Sequence, residues 1–133
     1  GSLIALDKNE ATNKVAVDFF KKANQEKEIK TIIKPALDSL NELKKNNKIF
    51  DMVFIDADKE NYKNYYDNSL DIINKEGLII IDNVLWHGEV VDKKKNDKLT
   101  KIIRDFNSYV KNDKKTEQII LPLGDGFTVC RKL

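Results

Sequence analysis

The chain has few of the residues that build covalent cross-links or nitrogen- and sulfur-rich metal sites. Its 133 residues include one cysteine, Cys130, and one histidine, His87. A single cysteine excludes an internal disulfide framework and any zinc site with several cysteine ligands. A single histidine likewise excludes a metal site built from several histidines. Any metal site in this chain must therefore use oxygen ligands.

Long apolar runs and an excess of charge of one sign are also missing. No apolar run approaches the ~18 residues that a transmembrane helix needs, and no stretch near the first residue resembles a signal peptide. The 24 basic and 22 acidic residues leave a net charge of only +2, which gives little bulk attraction to nucleic acid. We therefore expect a soluble, cytoplasmic protein without membrane or nucleic-acid partners.

The residues that are present suit a folded α/β domain. Hydrophobic residues make up 41% of the chain and charged residues 35%, which suffices for one core and predicts a single domain over 1–133. Short β-like runs at 3–6, 29–33, 52–55, 78–81, 119–121 and 127–130 alternate with amphipathic helical stretches at 9–27, from 35, at 60–74 and at 99–110. This order predicts a mostly parallel, doubly wound sheet that closes with an antiparallel hairpin. The unbroken apolar runs 52–55 and 78–81 predict strands buried on both faces, and Gly77 is expected to end the third helix.

Acidic residues follow three of the predicted strands, where open α/β sheets bind their ligands. The first is Asp7, the second is Asp56 with Asp58, and the third is Asp82 beside Asn83. An acid after a strand can accept hydrogen bonds from ribose hydroxyls, which is one interpretation of Asp7. Aspartate is equally a common helix N-cap, so a purely structural role for Asp7 stays open.

Asp56 and Asp82 end the two most apolar strands. If these strands are neighbours, both carboxylates meet the Asn83 amide oxygen at one rim of the sheet. Three oxygen donors on two loops suit a hard cation such as Mg²⁺ or Ca²⁺. The alternative is that the three residues form two helix N-caps and an Asx turn.

The loops after these strands contain further candidates. Lys59 follows Asp56 by three residues, and a lysine beside a cation can act as a general base. Trp86 follows Asn83 in a loop, where its ring could cover a planar substrate or simply plug the surface. We interpret His87 as a loop residue with a peripheral role at most.

Three segments carry a family resemblance. Residues 50–62 (FDMVFIDADKENY), 77–86 (GLIIIDNVLW) and 121–128 (LPLGDGFT) resemble, in the correct order, hallmark segments of the cation-dependent O-methyltransferases. This is the caffeoyl-CoA and catechol O-methyltransferase family, which uses S-adenosylmethionine. Residues 34–37 (KPAL) resemble the family's adenine-side loop, with Lys34 where glycine is usual. The resemblance extends over essentially the whole chain.

The resemblance implies a Rossmann-like methyltransferase sheet and specific residue roles. It implies that Lys59 is the general base, and that Trp86 lies beside the substrate. The implied metal ligands are Asp56, Asp82 and Asn83, and the implied cofactor-binding residues are Asp7, Ala36, Asp56 and Asp58. It also implies a small hydroxylated acceptor of catechol-like or phenolic type, a divalent cation (Mg²⁺ or Ca²⁺), and a homodimer.

One part of the family pattern is not present in residues 1–133. Family members begin with helices, a first strand at the centre of the sheet, and a Gly-rich loop for the methionine end of the cofactor, whereas residue 3 matches the family's second strand. We expect a partial methyltransferase domain without that central strand. Unpaired buried strand edges are costly, which predicts direct pairing of the strands at 3–6 and 52–55, exchange of strands between copies, or a further N-terminal portion.

Three functions follow as hypotheses. The first is an S-adenosylmethionine-dependent O-methyltransferase, and the second is a truncated, non-catalytic module that assembles with another chain. The third is a phospho-receiver domain with Asp56 as phosphoacceptor. The third fits poorly, because such a domain needs an acid pair after its first strand and a lysine after its last parallel strand.

Overall fold

The computed structural model describes residues 1–133 and divides them into two units, residues 1–46 and residues 47–133. Each unit forms its own sheet. The first sheet has two strands and the second has four. No helix combines the length and hydropathy that crossing a bilayer requires.

The first unit is a β-α-β-α arrangement. Its elements are β1 (Leu3–Asp7), α1 (Glu10–Lys22), β2 (Ile29–Ile33) and α2 (Ala36–Lys45). β1 and β2 pair in parallel, from Leu3 opposite Ile29 to Asp7 opposite Ile33. The predicted strands and helices of this region are therefore confirmed, including the parallel direction that a helical crossover requires.

Helix α1 is shorter than the predicted 9–27. Asn9 caps its start, because the Asn9 side chain accepts a hydrogen bond from the Thr12 backbone N–H at 3.1 Å. The helix ends at Lys22, and Asn24 then adopts a left-handed backbone with φ of 55°. A left-handed residue stops a right-handed helix, so residues 25–27 do not extend α1.

The second unit contains the remaining elements. They are β3 (Phe50–Ile55), α3 (Tyr62–Ile72), β4 (Ile73–Ile81), α4 (Lys98–Asn112), β5 (Thr116–Leu121) and β6 (Phe127–Lys132), with short 3₁₀ segments at Lys59–Asn61 and Trp86–Val91. The strand order is β3-β4-β6-β5, in which β3 and β4 are parallel and β6 is antiparallel to both of its neighbours. The predicted α/β class, with parallel strands followed by an antiparallel hairpin, is confirmed.

Direct pairing between the strands at 3–6 and 52–55 was one of the three expectations, and it is wrong for this structure. β1 pairs with β2, and β3 pairs with β4, so the two strands belong to different sheets. Each strand takes as its partner the next strand along the chain, which a helical crossover places beside it.

The expectation that 52–55 and 78–81 are buried on both faces is also wrong. Met52 and Phe54 in β3 are 56% and 55% exposed, whereas Ile55 is buried. In β4, Ile79 and Ile81 are completely buried while Ile80 is only half-buried. Successive strand residues point to opposite faces, and α3 packs on only one face of β3 and β4. The sheet of this unit is therefore well covered on one face and more open on the other.

Aromatic residues form the centre of the covered face. Tyr62 and Tyr66 of α3 are completely buried and meet the Phe106 ring of α4 edge-on, at centroid distances of 5.4 and 6.3 Å. The Tyr66 hydroxyl also contacts Asp113 Oδ2 at 2.9 Å and Thr116 Oγ1 at 3.0 Å. Edge-to-face ring packing and satisfied hydroxyl groups allow tyrosines to serve as core residues here.

The expectation that Gly77 ends α3 is wrong. The helix ends at Ile72, and Gly77 lies inside β4. A Cβ atom at this position would lie 2.6 Å from Ile73 Cγ1 and 3.0 Å from the Asp51 carbonyl oxygen. The glycine is therefore required by close approach of the neighbouring backbone, rather than by helix termination.

The β5–β6 hairpin contacts the segment that follows β4. The Val84 and Leu85 backbone N–H groups donate to the Gly126 and Asp125 carbonyl oxygens at 3.2 and 2.9 Å. Gly126 has a φ of 82°, and a Cβ atom there would lie 2.9 Å from Leu85 Cδ1 and 3.2 Å from Leu85 Cβ. The hairpin tip can approach this closely only because Gly126 has no side chain.

Replacing Gly126 tests this contact. Gly126→Ala should lower the free energy of unfolding by about 1–3 kcal/mol, because the added methyl group meets Leu85 and the backbone keeps a positive φ. Gly124→Ala is the matched control, since Gly124 also has a positive φ (55°) but open space around its Cα. Urea denaturation of both variants measures the difference, and equal losses would contradict the steric explanation.

Candidate functional site

The parallel pairing of β3 with β4 places two acidic residues side by side. Ile55 lies opposite Ile81, so Asp56 and Asp82 leave the sheet at the same rim. The Asp82 backbone N–H also donates to the Ile55 carbonyl oxygen at 3.0 Å, which extends the pairing by one residue. The strands β3 and β4 are therefore neighbours in the sheet, as expected.

Lys59 connects the two loops at this rim. Its ammonium group donates to Asp56 Oδ1 at 3.3 Å and to Asn83 Oδ1 at 2.8 Å, and it also contacts the Tyr62 hydroxyl. The Lys59 side chain is only 12% exposed, whereas that of Asp56 is 52% exposed. Because Asp56 and Asn83 share one donor, their side-chain oxygens face a common point.

Tyr62 lies beneath this cluster. Its hydroxyl donates to the Asp82 carbonyl oxygen at 3.0 Å, and its ring lies 4.6 Å from the Lys59 nitrogen. Burial, followed by the negative charges of Asp56 and Asp82, raises the pKa of the Tyr62 hydroxyl above its ordinary value. The two carboxylates therefore act in the same direction on the pKa of one buried hydroxyl.

The backbone after β4 adopts an unusual conformation. Asn83, Trp86 and His87 have φ values of 59°, 49° and 55°. Asparagine tolerates the left-handed region better than most residues, but for tryptophan and histidine it is uncommon. The Asp82 carboxylate accepts the Asn83 N–H at 2.6 Å, which stabilises the first of these residues. Left-handed residues clustered in one loop are typical of functional sites.

The other candidates of the second unit lie around this rim. Asp58 accepts hydrogen bonds from the Tyr65 hydroxyl at 2.6 Å and from the Asn61 amide, so it orders the start of α3. Trp86 is half-buried and lies 5.6 Å from the His87 ring. The His87 side chain is mostly exposed, in keeping with the peripheral role that we expect for it.

Asp7 and Ala36 belong to the first unit. Asp7 ends β1, and its carboxylate accepts the Asn9 N–H at 2.8 Å while its carbonyl accepts the Lys34 N–H at 3.0 Å. Ala36 is the first residue of α2, directly after Pro35. Asp7 is thus the last residue of its strand, and Ala36 begins the helix that the sequence predicts from 35. Their roles toward a cofactor stay predictions.

The donor set at the β3–β4 rim is compatible with a hard cation. No group of three or more histidine, cysteine, aspartate or glutamate side chains clusters in the structure, so the set consists of two carboxylates and one amide. The Lys59 ammonium, itself a cation, is held by the Asp56 and Asn83 oxygens of this set. Two oxygens of the set therefore hold a positively charged group, and a divalent cation at this rim stays a prediction.

Two residues at this rim were missed by sequence reasoning about the site. Tyr62 contacts both Lys59 and the Asp82 backbone, whereas the sequence pattern at 60–74 predicts only a helix there. Its spacing of three residues from Lys59 was the available signal. Asp125 accepts the His87 N–H through its carboxylate, a contact between residues far apart in sequence that no local pattern indicates.

Comparison with protein families agrees with this geometry. The family described as O-methyltransferase matches residues 1–133, which is the whole chain. The chain belongs to the O-methyltransferase family. This membership decides against the phospho-receiver hypothesis.

Characterised members of the O-methyltransferase family are similar over the full chain. Caffeoyl-CoA O-methyltransferase 5 from Nicotiana tabacum is 36% identical over 142 residues, which cover 100% of this chain and 59% of the tobacco protein. Caffeoyl-CoA O-methyltransferase 1 from Zea mays is 37% identical, with 100% of this chain and 55% of the maize protein covered. The chain thus spans less than two thirds of these relatives.

Solved structures show the same fold. The O-methyltransferase from Bacillus cereus in complex with SAH has a TM-score of 0.89 and 29% identity, covering 100% of this chain and 63% of that one. An SAH-bound methyltransferase from Podospora anserina has a TM-score of 0.85 and 26% identity, covering 100% and 61%. The mixed α/β elements described above are therefore those of a Rossmann-like methyltransferase.

The tyrosines of this O-methyltransferase family member predict a loss of folding stability at alkaline pH. All four have a raised pKa, and for Tyr65 burial, followed by its hydrogen bond to Asp58, raises the pKa from 10.0 to about 12. The folded state thus holds protons that the unfolded state loses first. Stability should be complete below pH 10.0 and fall as pH rises to about 12.

Tyr65→Phe isolates one contribution to this transition. Urea unfolding at several pH values should show a shallower loss of stability for the variant, because the phenyl ring has no proton to lose. Tyrosinate absorbance of the wild type should remain low at pH 10.0, where an ordinary tyrosine is half ionised. Half ionisation of the folded protein at that pH would contradict the pKa shifts.

Proposed function

We propose that the full-length protein is an S-adenosylmethionine-dependent O-methyltransferase that acts on a small hydroxylated acceptor of catechol-like or phenolic type. The family membership of the whole chain supports the reaction class. The SAH bound to the Bacillus cereus and Podospora anserina enzymes is the demethylated form of S-adenosylmethionine, which supports the methyl donor. The caffeoyl-CoA relatives support an acceptor with ring hydroxyls.

The observation that carries the proposal is the convergence of Asp56, Lys59 and Asn83 at one sheet rim. A methyltransferase for hydroxyl acceptors needs a group that takes the hydroxyl proton and groups that orient the acceptor oxygen. Lys59 is largely buried, and its nitrogen lies within hydrogen-bond distance of the Asn83 oxygen. The same three residues provide both the proton acceptor and the oxygen ligands.

Asp56, Asp82 and Asn83 would hold a divalent cation. When bound, such a cation supplies positive charge that lowers the pKa of a coordinated acceptor hydroxyl and fixes its position. The oxygen-only donor set and its attraction for the Lys59 ammonium support this assignment. The residue types exclude a soft metal that prefers thiolate ligands.

Lys59 would accept the proton from the acceptor hydroxyl. In its neutral form the amine takes the proton, and the acceptor oxygen then bonds to the methyl carbon as the carbon–sulfur bond breaks and its electron pair stays on sulfur. Tyr62 and Asn83 hold the Lys59 nitrogen on this side of the rim through their side-chain oxygens. Trp86, in the loop after Asn83, would contact the acceptor ring.

Asp7, Ala36, Asp56 and Asp58 are the proposed cofactor-binding residues. Asp7 would accept hydrogen bonds from the ribose hydroxyls, and the Ala36 backbone would face the adenine. The positions of Asp7 at the end of β1 and of Ala36 at the start of α2 support these roles. A homodimer, exchange of strands between copies and a cytoplasmic location are further parts of this proposal. They rest on the family resemblance and the composition alone.

Replacing Lys59 tests the proton-transfer role. Lys59→Met should lower kcat for a catechol acceptor by about 10²–10⁴-fold, because the general base is removed. Binding of S-adenosylmethionine, measured by calorimetry, should change little. Lys101→Met on the exposed face of α4 is the control and should retain full activity. Undiminished kcat in Lys59→Met would contradict the assignment. Failure of the wild type both to bind S-adenosylmethionine and to transfer methyl groups would favour the non-catalytic alternative.

Removing the cation tests the oxygen site. We expect excess chelator to abolish methyl transfer and added Mg²⁺ or Ca²⁺ to restore it. Calorimetric titration with Mg²⁺ or Ca²⁺ should show binding to the wild type and at least about tenfold weaker binding to Asp82→Ala, which loses one charged ligand. Asp105→Ala, on α4, is the matched control. Unchanged methylation in chelator, or equal metal affinity of both variants, would contradict a cation at this rim.

A further inference from the structure

Arg104 of α4 has an unusual set of hydrogen-bond partners. Its guanidinium donates to four backbone carbonyl groups, those of Glu89, Val90, Asp92 and Lys95. Three of these distances are 2.8 Å from Nε to Val90, 2.7 Å from Nη1 to Lys95 and 2.9 Å from Nη2 to Glu89. All four carbonyls belong to one segment, residues 86–97, which we call the Trp86 loop. One side chain on a regular helix therefore holds an irregular segment.

The same loop is held at its start by the β5–β6 hairpin. The Asp125 carbonyl accepts the Leu85 N–H at 2.9 Å, and the Asp125 carboxylate accepts the His87 N–H at 2.5 Å. The two donors lie on either side of Trp86. The backbone of Trp86 is thus fixed between Asp125 at one end of the loop and Arg104 at the other.

Additional polar contacts within the loop strengthen the Arg104 end. Lys95 Nζ pairs with Glu89 Oε1 at 2.7 Å, and the buried Thr100 hydroxyl donates to Glu89 Oε2 at 3.2 Å. These contacts close the loop onto the first turn of α4. Arg104 adds a donor to the Val90 and Lys95 carbonyls, and a second donor to the Glu89 and Asp92 carbonyls, which also accept the Asp92 and Lys95 backbone N–H groups.

The strained backbone explains why such restraint is needed. Trp86 and His87 both have positive φ values, a conformation that residues of their size rarely adopt. The Gly88 N–H donates to the Leu85 carbonyl at 2.9 Å and closes a turn around these two residues. The contacts of Asp125 and Arg104 hold this turn and the residues that follow it in place.

We propose that Arg104 and Asp125 are positioning residues that determine acceptor selectivity by fixing the Trp86 loop. This inference rests on the proposed function, because it assigns Trp86 to the acceptor side of the site. Arg104 and Asp125 touch neither acceptor nor cofactor; they act through the loop backbone. A rigid loop discriminates between acceptors by the size of the group attached to the hydroxyl-bearing ring. A mobile loop accepts acceptors with small and with large groups alike.

The experiment uses Arg104→Lys in the full-length protein. Lysine keeps the positive charge, but it has three donors on a flexible chain and cannot reproduce the planar donor array that reaches four carbonyls. Hydrogen exchange of peptides covering residues 86–97 should become about tenfold faster in the variant. The ratio of kcat/KM for catechol to kcat/KM for caffeoyl-CoA should shift by about tenfold, while the KM for S-adenosylmethionine stays unchanged.

Two further variants keep the test decisive. Arg131→Lys is the matched control, because Arg131 is the only other arginine and it contacts only the side chains of Glu117 and Glu76. It should alter neither exchange nor selectivity. Asp125→Ala releases the opposite end of the loop and should shift the acceptor ratio in the same direction as Arg104→Lys, which covers the case in which the arginine variant does not fold.

The outcomes separate this inference from the proposed function. Unchanged exchange in both loop variants, or faster exchange with an unchanged acceptor ratio, would overturn the role of Arg104 and Asp125 while leaving the methyltransferase assignment intact. Absence of methyl transfer by the wild type to either acceptor would contradict the proposed function and with it the selectivity role. In that case the exchange rates would still decide whether Arg104 holds the loop.

Discussion

The candidate site depends on the register of one pair of parallel strands. Because Ile55 lies opposite Ile81, the chain leaves β3 and β4 at the same level, and Asp56 and Asp82 emerge side by side. A shift of one residue would turn one carboxylate toward the other face of the sheet. The buried side chains of Ile55, Ile79 and Ile81 oppose such a shift, since it would expose them. Hydrophobic burial on the covered face thus sets the position of polar groups at the rim.

Two like charges at one rim must be compensated. Lys59 provides part of this compensation by bonding to Asp56 and Asn83, and the Tyr62 hydroxyl links it to the Asp82 backbone. Because Tyr62 is completely buried and packs against Phe106, this polar cluster is anchored to the aromatic core between α3 and α4. Core packing and site geometry are therefore properties of the same residues. A change in the packing between α3 and α4 would therefore alter the position of Tyr62 and, with it, the geometry of the rim.

The loop after β4 illustrates a different relation between structure and function. Within this segment, the Asp82 carboxylate accepts the Asn83 N–H, and the Gly88 N–H donates to the Leu85 carbonyl across the left-handed residues Trp86 and His87. The hairpin tip at Asp125 and Gly126 and the guanidinium of Arg104 hold it from outside. A conformation of this kind can persist only when the surrounding structure determines it. Elements at the end of the chain therefore shape a loop near its middle.

Much of the fold was accessible from hydrophobic patterning. The strand at 29–33, the helices expected from 35 and at 99–110, and the closing hairpin are all present as predicted. These elements are specified locally, by periodicity and by turn residues. The end of α1 and the role of Gly77 were predicted incorrectly, because each depends on contacts or backbone angles that spacing does not reveal. The burial of Phe54 was also predicted incorrectly, since an apolar run does not show which face of a strand is covered.

The order of residues along the chain is enough to show which oxygen-bearing residues end the strands, because an acid directly after an apolar run lies at the rim of a parallel sheet. It is also enough to identify the family, because the family's motifs are contiguous along the chain. The sharing of the Lys59 nitrogen by Asp56 and Asn83, and the contact of Tyr62 with this cluster, depend on how the chain folds. The positions of Arg104 and Asp125 at opposite ends of the Trp86 loop depend on the fold in the same way. These contacts join residues distant in sequence, and their partners are chosen by packing and strand register rather than by any local preference.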